Sequence, residues 1–137
     1  MNEKEHSHVT SFGYEIIRDH VLASILGKHE KDILYWAGKD LARKFPLYSM
    51  EEAISFFQEA GWGKLELEKN SKDSAHYILE TFNLPQSGIN RSHRLEAGFL
   101  AEQQQKIGGY ETECYDELVK KTGMVTFHIK WDLKSSR

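Results

Sequence analysis

Between Arg94 and Gln103 the chain reads as a helix with a carboxylate and an amide set into its apolar face. Leu95, Phe99, Leu100 and Ile107 recur at helical spacing, and Glu96 and Gln103 project with them. Ala97, Gly98 and Ala101 keep the adjoining face small, which favours tight packing. A carboxylate does not sit unpaired among apolar side chains, because its desolvation outweighs what apolar contact returns. Glu96 therefore requires either a cation from elsewhere in the chain or a polar group on a ligand. Arg43 and Lys39 are the cations that the helical pattern offers it.

The rest of the chain supplies the partners for that helix. A first helix is expected from about Ser11 to Leu26, stopped by Gly27. On a regular wheel Tyr14, Ile17, Val21 and Ile25 fall on one side, with Phe12, Ile16 and Leu26 roughly opposite. Two stripes imply burial on both sides, between layers of one subunit or between a core and a second chain. A second helix spans about Glu30 to Phe45 with Ile33, Leu34, Ala37, Gly38, Leu41 and Phe45 inward, and Pro46 ends it. Trp36, Lys39 and Arg43 project away. Ser49 and Glu52 predict a capping box for a third helix, closed by Gly61-Trp62-Gly63. Lys64 to Lys69 and Ala75 to Phe82 read as a hairpin turned at Asn70 to Asp73. Residues 83 to 91 read as a loop, and Ser92 caps the helix of the opening paragraph, which stops at Gly108-Gly109. Tyr110 to Lys120 and Met124 to Asp132 form a second hairpin. Its last strand alternates Val125, Phe127, Ile129 and Trp131 with Thr126, His128 and Lys130, so one face is buried and one is wet. The parity of the preceding strand is left open, since Cys114 and Leu118 oppose Tyr115 and Val119. The economical assembly is α+β: a helical layer on one face of a four-stranded antiparallel sheet, in the order ααα-ββ-α-ββ. Residues 1–10 are expected to be a flexible polar tail and residues 11–137 a single domain.

Composition narrows the function. With 18 Lys and Arg against 21 Asp and Glu, net charge −3, no charge excess draws the chain to nucleic acid. No apolar run is long enough to span a bilayer, and the N-terminus lacks the apolar core of a secretory signal. A single cysteine, Cys114, excludes an internal disulfide and any multi-cysteine metal site within one subunit. These features point to a cytoplasmic protein. No histidine pair lies in an HExxH-like frame, and glycine-loop, nucleophile-elbow and paired-carboxylate signatures are missing. A Cys114–His128 arrangement across the last hairpin is conceivable, but a lone cysteine is usually a small buried hydrophobe. The expectation is no enzyme, no metal and no cofactor.

Several motifs, in order, resemble one family. Tyr35-Trp-Ala-Gly-Lys39 with Leu41-Ala-Arg-Lys-Phe-Pro46, Glu59-Ala-Gly-Trp-Gly63, Leu95-Glu-Ala-Gly-Phe99 with Ala101-Glu-Gln103, and Lys130-Trp-Asp132 are similar to the YslB family, an uncharacterised group from low-GC Gram-positive bacteria. The resemblance runs from about residue 12 to the C-terminus. It implies the fold of TRAPP transport components and 4-vinyl-reductase domains, which set helices on a twisted antiparallel sheet and often dimerise through helices. The chain departs from the palmitoylated TRAPP component in having no cysteine on its first helix, and from 4-vinyl-reductase domains in having one cysteine, Cys114, in the last hairpin. The resulting expectation is a non-enzymatic, dimeric module for a small apolar or amphipathic ligand. Leu95 and Phe99 would supply apolar contact, Glu96 and Gln103 would orient a polar group, and Trp36 and Arg43 would flank the site. Tyr14, Ile17, Val21 and Ile25 would form the homodimer seam. The alternative is a protein-interaction adaptor without a ligand, presenting exposed aromatics such as Trp36.

Overall fold

The computed structural model describes residues 11–81 and 91–135. The expected N-terminal tail, Phe82 and most of the expected loop before Arg91 lie outside them. The first helical rod, α1, covers residues 11–26. It is α-helical at 11–15, forms a π-turn at Ile16–Val21 and returns to α-helix at Leu22–Leu26. A 3-10 turn, Gly27–His29, leads into α2, Glu30–Lys44. There follow α3 (Glu52–Glu59), β1 (Lys64–Asn70), β2 (Ser74–Glu80), α4 (Arg94–Gly108), β3 (Thr112–Val119) and β4 (Met124–Trp131). The sheet is antiparallel throughout, in the order β1-β2-β4-β3.

One face of the sheet carries the core. Leu65, Ala75, Tyr77, Leu79, Cys114, Val125, Phe127 and Ile129 are buried beneath the helices. Period-two alternation leaves His76, Thr126 and His128 half-covered on the other face and Tyr115 and Lys130 exposed. The parity of β3 is thereby decided: Thr112 and Cys114 face in and Tyr115 faces out. Five aromatic rings knit helices to sheet. Phe56 stacks on Phe99 at 4.5 Å, and Phe57 meets Trp62 edge-on at 4.9 Å and Phe127 at 6.3 Å.

α4 is enclosed, with every residue from Glu96 to Gln103 buried. It lies on the sheet with α2 laid against it, and two glycines set how closely those helices approach. A Cβ on Gly38 would stand 2.1 Å from the Leu95 carbonyl oxygen, and one on Gly98 would stand 2.0 Å from that of Tyr35. Ile33 and Phe45, expected on the inner face of α2, are 40% and 52% exposed, and Ala42 fills the core instead. Ile107 likewise turns out to solvent near the end of α4. α3 starts at Glu52, three residues after the expected cap. The Glu52 carboxylate accepts the Tyr48 and Ser49 backbone N–H groups at 2.6 and 3.2 Å, but the Glu52 N–H donates to the Ser49 carbonyl at 3.2 Å rather than to its hydroxyl.

Candidate functional site

Enclosure of α4 from Glu96 to Gln103 cuts the polar side chains of that stretch off from bulk water, so protein must answer them. Glu96 is 1% exposed and pairs with Arg18 of α1 at 2.5 Å. Arg43 and Lys39, the partners expected from sequence, are elsewhere. Arg43 bonds Glu102 at 3.3 Å with more than half its side chain in water, and Lys39 lies over the Tyr35 ring. Arg18 also donates to the Tyr14 hydroxyl and to the Ser92 carbonyl at 2.9 Å. Beside it, Arg91 grips Asp19 through two bonds of 2.8 Å. Arg18, Asp19, Arg91 and Glu96 thus form two sealed ion pairs between α1 and the start of α4. Burial works to raise the Glu96 pKa, but the Arg18 charge, followed by the neighbouring His93 and the Arg18 hydrogen bond, outweighs it and holds the carboxyl below its ordinary value.

His93 closes the same cluster. It is 5% exposed, and its Nε2 has no partner among the described residues. Burial, aided by Arg18 and Arg91 and opposed by Glu96 and Asp116, lowers its pKa, so the ring is kept neutral.

The remaining residues of the expected ligand set separate. Gln103 is fully buried and finishes the end of α2: its amide donates to the Phe45 and Ala42 carbonyls and accepts the Leu47 N–H at 3.1 Å. Phe99 is sealed in the aromatic core, and Leu95 is half-buried at the α2 crossing. Trp36 is 63% exposed on the far side of α2. Tyr35 caps the edge strand, donating to Glu113 at 2.9 Å and accepting the Cys114 N–H at 3.1 Å. Cys114 opposes Ile129 in the sheet while His128 opposes Tyr115, so thiol and imidazole face opposite sides. Burial, and after it Asp116, pushes the Cys114 pKa up, leaving a protonated, inert thiol.

α1 departs furthest from its sequence reading. Arg18 and Asp19 are buried, while Phe12, Ile16, Ile17, Val21 and Ile25 are 39–73% exposed. The π-turn is the cause. It adds a residue to one turn, and side chains then repeat every four positions. Residues 14, 18, 22 and 26 turn inward, and 12/13, 16/17, 20/21 and 24/25 turn outward. The two stripes of a regular wheel therefore merge into one outward apolar face, which Tyr14 and Leu26 leave, Tyr14 to join Arg18. The sequence signal, overlooked at regular helical spacing, was the adjacent pair of charges at Arg18-Asp19 amid apolar neighbours.

Helices on one face of a four-stranded antiparallel sheet define an α+β module with the fold of TRAPP subunits. The chain belongs to the DUF2507 family of proteins of unknown function, matched over residues 11–130. It is 40% identical over 129 residues to the uncharacterized protein YslB of Bacillus subtilis (strain 168), covering 92% of this chain and 87% of that protein. A vinyl-4-reductase family protein from Methanocaldococcus jannaschii superposes with a TM-score of 0.60 at 20% identity, over 72% of this chain and 68% of that one. Trafficking protein particle complex subunit 3 from Naegleria fowleri, solved covalently bound to palmitic acid, superposes with a TM-score of 0.56 at 14% identity, over 98% and 99% of the two chains. At these identities the two structures share a fold with the chain.

Proposed function

We propose that the protein is a non-enzymatic homodimeric binding module, joined along α1 and carrying a small apolar or amphipathic molecule. The observation that carries the proposal is the reversal of α1, which hides its charges and presents Phe12, Ile16, Ile17, Val21 and Ile25 to solvent. Full burial of a fully exposed side chain of this size returns about 1.5–3 kcal/mol, and each of these forgoes a share in proportion to its exposure. A second copy of the same face, related by a two-fold axis, would cover them. The sealed ion pairs behind the face hold α1 in this orientation. The seam of this proposal keeps Ile17, Val21 and Ile25, gains Phe12 and Ile16, and loses Tyr14.

Cys114 is buried beneath the helices, so any carried molecule is held without an acyl bond to it. The single cysteine supports a reducing, cytoplasmic setting. No helix among the described residues is long and apolar enough to cross a membrane.

Sedimentation tests the seam. Wild type should sediment as a dimer at micromolar concentration, and Val21→Glu or Ile25→Glu as a folded monomer. A monomeric wild type would overturn the reading. The alternative of an adaptor without ligand is favoured by Trp36 and Ile33, which are exposed together on α2 at 63% and 40%. It expects Trp36→Ala to abolish partner retention while the dimer persists.

A further inference from the structure

A groove of about 540 Å³ opens between the start of α3 and the β1–β2 hairpin. It reaches α4 at Gln104, eight residues or roughly 12 Å along the helix from Glu96, and is separate from the ionic cluster. Met50 and Ile54 form one wall, Leu67 and Tyr77 the floor, and Trp131 the far side. Leu67 and Tyr77 are paired across the hairpin, and the register shifts immediately beyond Leu67. Leu67 is 45% exposed there, whereas Leu65, two residues earlier, is sealed. Trp131 is fixed in place: its indole N–H donates to the Lys72 carbonyl at 2.8 Å and its backbone N–H to that of Asp73 at 3.0 Å.

Tyr77 sets this groove apart from a surface dent. Only 4% of it is exposed, it lines the groove, and its hydroxyl has no hydrogen-bond partner among the described residues. The hydroxyl oxygen is open to the groove rather than sealed, and a phenol so placed is free to donate to another molecule's acceptor. Burial raises the Tyr77 pKa, which keeps the hydroxyl a donor. Among the described lining residues Glu51 is charged and none is cationic, so an anionic head would enter unpaired and beside a carboxylate. The volume falls within the range of small-molecule sites.

We propose that this groove holds one uncharged amphipathic molecule, its apolar body between Met50, Ile54, Leu67 and Trp131 and an oxygen acceptor on the Tyr77 hydroxyl. This inference rests on the ligand-binding half of the function proposed above and places that ligand outside the α4 interior, whose polar groups are already bonded to protein.

The test is a titration of the full-length, isotope-labelled protein with 1-octanol, and with octanoate as its charged counterpart, followed by amide and indole NMR shifts. Octanol should shift the Trp131 indole and the amides of Ile54, Leu67 and Tyr77 saturably, and octanoate should bind more weakly. Tyr77→Phe loses no protein hydrogen bond and should weaken octanol binding about two- to tenfold. Leu67→Trp, at a half-exposed position that tolerates bulk, should abolish it. Val21→Glu should bind as wild type does, which separates the groove from the dimer seam. Scattered or non-saturating shifts, octanoate binding as tightly as octanol, or undiminished binding by Leu67→Trp or Tyr77→Phe would overturn the proposal. A monomeric wild type that still binds octanol in this way would overturn the seam and leave the groove standing.

Discussion

Glu96 and Arg18 show what burial does to a charged pair. Each ion loses several kcal/mol of hydration, and the attraction between them, helped by Tyr14 and the Ser92 carbonyl, offsets that loss. The pair is thus weakly stabilising as a whole and expensive to break on one side. Glu96→Gln should destabilise the protein by about 3–5 kcal/mol, because Arg18 is left buried without a counter-charge. The double variant Arg18→Met/Glu96→Leu should recover most of that loss, as apolar replacement of a whole buried pair is often neutral. Urea unfolding of the single and double variants measures both. Equal losses in the two would show that the pair is not sealed from water.

At the scale of the element, the α2–α4 crossing depends on missing atoms. Gly38 and Gly98 bring the helices together so closely that a methyl group on either would collide with backbone, which cannot rotate aside. Gly98→Ala, although it raises helix propensity, should lower stability by about 1–3 kcal/mol or more, read as a drop in thermal midpoint. An unchanged or higher midpoint would mean that the helices part without loss. The same scale explains the failure of the regular wheel on α1. The wheel rests on an α-helical period, and the π-turn at Ile16–Val21 lengthens it. Residues 14 to 25 carry no proline or glycine to announce that irregularity. It is selected by contacts with Glu96 and Arg91, which lie more than seventy residues away in the chain.

For the whole molecule, the ionic cluster ties folding to pH. His93 and Glu96 both have folded pKa values below their ordinary ones of 6.5 and 4.5. The unfolded chain therefore binds more protons than the folded one as the pH falls, and stability falls with it. Stability should be greatest above pH 6.5, where both states leave His93 neutral. It should decline below that value as unfolding allows the imidazole to protonate, and decline further below 4.5, where the released Glu96 is protonated too. His93→Phe should shrink the first decline to the part that His76, also lowered by burial and by its neighbour His128, contributes, and keep the second. Thermal midpoints measured across this range provide the check, and a midpoint that rises on acidification would contradict the sign.

Patterns that repeat over short distances settled much of the architecture in advance. The alternation of Val125, Phe127 and Ile129, the helical recurrence around Phe99, and the glycine stops at Gly27 and Gly109 specify helices on one face of an antiparallel sheet, because each depends on the geometry of a few consecutive residues. The burial of Glu96 could be read in the same way, from its apolar surroundings. Its partner could not, since nothing local distinguishes Arg18 from Arg43 as a source of positive charge. Tertiary structure decided that choice, the phase of α1, the parity of β3 and the groove beneath α3. Each of these depends on which distant surfaces meet, and the free energy of meeting belongs to both surfaces together.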